Sequence, residues 1–132
     1  MKRVWVNGTF DLIHRGHLEL LSYAALLGEV RVGIDGDARV RELKGNERPI
    51  NNEADRCFML LNLKTVSSVS IFYTDKDLEM AVEKWNPDYF VIGEEYRDKR
   101  IIGGEFAKEI IFIEKLVPDS TTSLIKKIRN GI

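Results

Sequence analysis

Five short apolar runs, each closed by a break and separated by segments of helical rhythm, set the tightest limit on what this chain can fold into. The runs are Val4-Trp5-Val6, Val30-Arg31-Val32-Gly33-Ile34, Val69-Ser70-Ile71-Phe72-Tyr73, Tyr89-Phe90-Val91-Ile92 and Ile110-Ile111-Phe112-Ile113. Short apolar runs bounded by Gly, Asn or Asp read as buried strands. Strands alternating with helices imply an α/β architecture with a parallel sheet covered on both faces. Right-handed crossovers then make the sheet doubly wound. Ligands bind such sheets beyond the carboxyl ends of the strands. That places residues 8–17, 35–44, 93–96 and 118–122 along one rim.

The intervening segments read as follows. Leu18, Leu20, Leu21, Ala24, Ala25 and Leu27 keep a helical rhythm that Gly28 stops. Residues 38–51 read as a short helix and then a mobile basic loop. Residues 52–66 read as a helix capped by Asn51 or Asn52, and 77–85 as a helix ended by the turn Asn86-Pro87-Asp88. A short helix closes at 106–109. A last helix spans 120–129, with Ser120 or Thr121 as its cap. A chain of 132 residues is expected to form a single domain, 1–132. The net charge of −1 provides no global field for nucleic acid or an anionic membrane. Phosphate binding, if present, must come from local charges and backbone dipoles. Cys57 is the only cysteine, so an intrachain disulfide and a Cys-rich zinc site are excluded. No apolar stretch approaches the ~20 residues that span a bilayer. A reducing, cytoplasmic setting is expected.

The strongest local signal is Gly8-Thr9-Phe10-Asp11-Leu12-Ile13-His14-Arg15-Gly16-His17, between a strand and a helix. It holds both histidines of the chain. Three residues apart at a helix start, they share one face. Gly16 lacks a Cβ and lets a ligand or backbone come close. Free N–H groups at the helix start attract an anion, and paired imidazoles can donate to phosphate oxygens. Ser120-Thr121-Thr122 makes a second hydroxyl-bearing helix start on the same rim. Arg41, Lys44 and Arg48 around Gly45 form a basic loop able to cover a polyphosphate. Asp11, Asp35 and Asp37 could position substrate hydroxyls or a magnesium ion, and a plain turn role fits Asp35 and Asp37 equally.

Together, Gly8-Thr9-Phe10-Asp11, His14-Arg15-Gly16-His17 and Ser120-Thr121-Thr122 resemble the cytidylyltransferase-like branch of the nucleotidyltransferases, across nearly the whole chain. The resemblance implies a Rossmann-like, doubly wound five-stranded parallel sheet with helices on both faces. Two relatives fit. The adenylyltransferase domain of ADP-heptose synthase is similar through Leu43-Lys44-Gly45-Asn46-Glu47-Arg48-Pro49-Ile50-Asn51, Arg56, Gly93-Glu94-Glu95-Tyr96 and residues 120–128. Glycerol-3-phosphate cytidylyltransferase shares length and organisation. The implied reaction moves a nucleoside monophosphate from a nucleoside triphosphate to a phosphorylated small molecule. It implies His14, His17 and Lys44 as catalytic residues. Gly8, Thr9, Phe10, Gly16, Gly93, Ser120, Thr121 and Thr122 would bind nucleotide, and Asp11, Asp37 and Arg56 substrate. Arg56 could instead fix the loop. Mg2+ would bridge triphosphate oxygens with few protein ligands, and a homodimer is common in the family. A nucleotide-binding domain without catalysis is the alternative of another class.

Overall fold

Val4, Trp5 and Val6 are completely buried, because their strand is the middle of a sheet covered on both faces. In the computed structural model, which describes residues 1–114 and 121–131, the strands are β1 (Arg3–Gly8), β2 (Glu29–Asp35), β3 (Ser68–Phe72), β4 (Tyr89–Gly93) and β5 (Glu109–Ile113). All pair in parallel, in the order β3-β2-β1-β4-β5. The helices are α1 (Arg15–Leu27), α2 (Asp37–Lys44), α3 (Glu53–Leu61), α4 (Asp75–Trp85) and α5 (Thr121–Arg129). The expected five-stranded parallel sheet with flanking helices is therefore what forms.

Side chains alternate across a strand, and β1 divides its own between two cores. Val4 and Val6 pack with Leu21 and Ala24 of α1 and Leu60 of α3. Trp5 packs with Leu78, Val82 and Trp85 of α4 and with Phe90. Each fully buried side chain of this size contributes about 1.5–3 kcal/mol. Gly33 on β2 makes room for the Trp5 ring: a Cβ there would lie 2.4 Å from Trp5 Cζ2. The strand order turns back at β1 and β4, since β2 and β3 extend to one side and β4 and β5 to the other. The crevice at that switch point is where a ligand site is expected.

Helix ends differ from the sequence reading where side chains intervene. The third helix ends at Leu61 rather than Val66. The chain then turns so that Val66 enters the core and the Ser67 N–H donates to Val30 O. Asn52 caps α3, its Oδ1 accepting from the Asp55 N–H at 2.8 Å. Helix α4 begins at Asp75, two residues before the expected start, because Thr74 Oγ1 caps the Asp77 N–H. Residues 106–109 do not close a helix. A 3₁₀ turn occupies Gly104–Phe106, and Glu109 already pairs with Tyr89 in the sheet. The expected cap Ser120 lies outside the described residues.

Candidate active site

A cavity of about 700 Å³ opens beyond the carboxyl ends of β1, β2 and β4. Its floor is the turn after β1. Phe10 there has φ 51°, a left-handed conformation unusual for a residue with a Cβ. The turn is held in spite of that cost because Phe10 is buried and its ring lies 4.8 Å from the His17 ring.

The two histidines then start α1 by capping it reciprocally. His14 Nδ1 accepts the Gly16 N–H at 3.0 Å, and His17 Nδ1 accepts the His14 N–H at 3.2 Å. Orphan donors of the helix start are thereby satisfied by imidazole, in the manner of a capping box. The rings stack with centroids 3.9 Å apart. An Nδ1 that accepts carries no proton, so this pattern assigns the proton of each neutral ring to Nε2. The His17 imidazole thus has its N–H donor at Nε2. Burial first, then the charges of His14 and Lys44, lower the His17 pKa to about 4. His17 is consequently neutral at physiological pH and keeps its capping acceptor.

The opposite wall is basic. Lys44 ends α2, and Arg48 follows in the loop to α3; both line the cavity. Partial burial, and then the Arg48 charge, lower the Lys44 pKa, while Asp35 and Asp11 oppose the shift. On the far side, Val91, Ile92, Ile113 and Tyr96 give a more apolar surface. Gly93 belongs to that wall, and a Cβ there would lie 1.9 Å from Glu95 Oε1. Thr121 and Thr122 bring in the start of α5, whose N–H groups and dipole favour an anion. Thr121 Oγ1 donates to Leu12 O at 3.0 Å, tying α5 to the histidine turn across 109 residues.

Of the residues expected at the site, His14, His17, Lys44, Gly8, Thr9, Phe10, Gly16, Gly93, Thr121 and Thr122 line this one cavity. Ser120 lies outside the described residues. Three expected substrate contacts need correction. Asp11 is 1% exposed, and its carboxylate accepts from the Ile50 and Asn51 N–H groups and from Arg48 Nε. It anchors the loop and has no surface for a substrate. Arg56 is also 1% exposed. It donates to the carbonyls of Thr9, Asp35 and Asn51 and to Asp37 Oδ1. Of its two expected roles, fixing the loop is the one its contacts fit. Asp37 is taken up by that ion pair and does not line the cavity. The basic loop, expected to be mobile, is bonded along 48–51 to Asp11 and Arg56.

Other cavity residues escaped the sequence reading. Glu19, Leu20 and Tyr23 continue from Gly16 along one face of α1, and i, i+3, i+4 spacing from the motif was the signal that could have found them. From the sequence, Arg48 reads only as charge in the basic loop.

Residues 5–127 match the cytidylyltransferase-like family. The bifunctional protein HldE of Helicobacter pylori is 42% identical over 97% of this chain, and that of a Nitratiruptor species is 39% identical over 96%. The chain spans 28% of the length of each of these relatives. Among solved structures, a lipopolysaccharide core biosynthesis protein from Thermoplasma volcanium superposes with a TM-score of 0.70 at 25% identity. That match covers 90% of this chain and 99% of the other.

Proposed function

Because the chain belongs to the cytidylyltransferase-like family of nucleotidyltransferases, we propose that it transfers a nucleoside monophosphate, AMP by preference, from a nucleoside triphosphate to a sugar phosphate such as heptose 1-phosphate. A phosphate oxygen of the acceptor attacks the α-phosphorus, the bond from that phosphorus to the bridging oxygen breaks, and pyrophosphate leaves. The nucleophile is already anionic, so no strong base is needed. The protein contributes position and charge stabilisation.

One observation carries this reading: the stacked His14 and His17, Lys44, and Thr121 and Thr122 at the start of α5 all line one cavity at the switch point of the sheet. In this reading the histidines and α5 hold the triphosphate, and Lys44 balances charge on the reacting phosphates. The apolar wall of Val91, Ile92 and Tyr96 suits a nucleobase. The adenylyl preference rests on the long resemblance through residues 43–51 to the ADP-heptose synthase domain, together with the HldE relatives. Among the described residues, no three His, Cys, Asp or Glu side chains converge as a metal cage. That donor set suits a magnesium ion carried by triphosphate oxygens and water, which would offset phosphate charge. Among the described residues no helix is long and apolar enough to cross a membrane. We place the reaction in the cytoplasm. We also infer a homodimer, supported by Phe58, Met59 and Leu61, which α3 leaves half or more exposed.

Pyrophosphate release measured with ATP and CTP against heptose 1-phosphate and glycerol 3-phosphate, with magnesium, tests the proposal. The expected result is turnover with ATP and the heptose ester. Turnover with CTP and glycerol 3-phosphate would replace the substrates and keep the reaction. Binding of triphosphate without any pyrophosphate release would leave a non-catalytic nucleotide-binding domain.

A further inference from the structure

Among the described residues, two buried side-chain polar atoms have no hydrogen-bond partner: Glu19 Oε2 and Arg48 Nη2. Both residues line the cavity. Buried donors are nearly always satisfied, and an orphaned charged donor is costly. Glu19 Oε2 is an acceptor and repels phosphate. Arg48 Nη2 is a cationic donor and attracts it.

The Arg48 guanidinium is held in place. Its Nε donates to Asp11 Oδ2 at 3.0 Å, with the Asp11 side chain fully buried and that of Arg48 12% exposed. A lone arginine–carboxylate pair often engages two nitrogens in a fork. Here the same carboxylate also serves the Ile50 and Asn51 amides, and Arg48 reaches it through Nε. A terminal nitrogen is thereby left for another acceptor. Lys44 stands near enough for the Arg48 charge to act on it. Two cations held together at a cavity wall repel each other until an anion comes between them.

We propose that Arg48 Nη2, with Lys44 beside it, seats the phosphate of the acceptor substrate. This rests on the transferase reading above. In the transferase reading the triphosphate is held by the histidine pair and the start of α5. In-line displacement needs the nucleophile on the side of the α-phosphorus away from the leaving pyrophosphate. A second anion seat in the same cavity meets that need. Lys44 and Arg48 supply it from the β2 side of the sheet, opposite the apolar wall of β4. Arg48 is then a substrate-binding residue that sets specificity for a phosphorylated acceptor, and Asp11 is the residue that positions it.

The test compares wild type with Arg48→Gln and Arg48→Lys. Initial rates give KM for each substrate, and thermal melts report folding. Calorimetry measures inorganic phosphate binding to protein saturated with α,β-methylene-ATP. In Arg48→Gln the acceptor KM should rise roughly 30-fold, the scale of one charged hydrogen bond, with ATP KM within about twofold. Arg48→Lys keeps the charge and should recover part of the loss. If Arg48→Gln melts out, Arg48→Lys decides alone, with an acceptor KM raised and ATP KM unchanged. An unchanged acceptor KM, or a rise confined to ATP, overturns the proposal. If wild type turns over no sugar phosphate, the transferase reading fails separately. The phosphate titration still judges Arg48, since equal binding by wild type and Arg48→Gln would refute the anion seat.

Discussion

The histidine wall and the basic wall of the cavity are built in opposite ways. The histidine wall closes on itself within four residues: His14 caps Gly16, and His17 caps His14. The basic wall depends on distant partners. Asp11 holds Ile50 from 39 residues away, and Arg56 reaches the Thr9 carbonyl from 47. A local wall can keep its shape while its chemistry is deleted. A wall made of long-range contacts loses shape and chemistry together. Mutations should therefore separate activity from stability on one side of the cavity and couple them on the other.

Asp11→Ala is expected to give the largest effect. It removes a buried acceptor of two backbone N–H groups and leaves the Arg48 Nε unpaired. Breaking a buried ion pair of this kind costs about 3–5 kcal/mol, and the basic wall should fall away from the cavity at the same time. Urea denaturation should show that loss, and residual pyrophosphate release should be near background. A stability loss below about 1 kcal/mol would mean that the loop stands without its anchor, and the contrast between the walls would fail.

His17→Ala comes next and should show the opposite pattern. Loss of one donor to a developing phosphate charge typically costs about 10²–10³ in kcat. The fold should lose only the worth of a cap, about 1 kcal/mol. Steady-state kinetics beside a denaturation curve reads both. Near-normal kcat would remove His17 from the reacting phosphates. A stability loss as large as that of Asp11→Ala would show that the histidine wall is not local.

The same contrast explains what the sequence disclosed. The sheet was legible because strand β1 writes its burial in consecutive apolar residues, and the histidine turn because His14, Gly16 and His17, which cap one another, lie in one short stretch. The basic wall was only half legible. Lys44 and Arg48 were visible as charge, but nothing in the order of residues said that Asp11 would fold under them or that Arg56 would be taken up by three carbonyls and the Asp37 carboxylate. A charged side chain near a motif reads as a ligand contact until its partners are known. The start of α4 failed for a related reason: Thr74 settles it by a bond to backbone that periodicity does not register, whereas the Asn52 cap of α3 was readable from its residue type.

A smaller effect follows from pH. His17 has its pKa lowered from 6.5 to about 4, by burial first and then by His14 and Lys44. Between those values the unfolded chain binds a proton that the folded chain refuses. The stabilisation is complete above pH 6.5 and is lost as pH falls toward 4, by an amount on the order of 3 kcal/mol. Thermal melts from pH 7.5 to 5 should therefore slope downward, and His17→Asn should flatten them. Equal slopes in both proteins would mean that another group carries the dependence, and that protonating His17 does not break the reciprocal cap.

The smallest effect tests where the basic wall stops depending on its anchors. Arg129 Nη2 of α5 donates to Glu47 Oε2 at 2.8 Å, one residue before Arg48, and both side chains are more than half exposed. On sequence separation alone this pair resembles the Asp11 contacts, since it spans 82 residues. Its surroundings differ, because water screens both charges and no buried amide relies on either. Exposed pairs contribute from nothing to about 1 kcal/mol. Glu47→Gln should thus change the unfolding free energy by less than about 0.5 kcal/mol and leave both KM values unchanged. A clear rise in acceptor KM would show that the α5 contact tensions the loop, and that Asp11 alone does not set the position of Arg48.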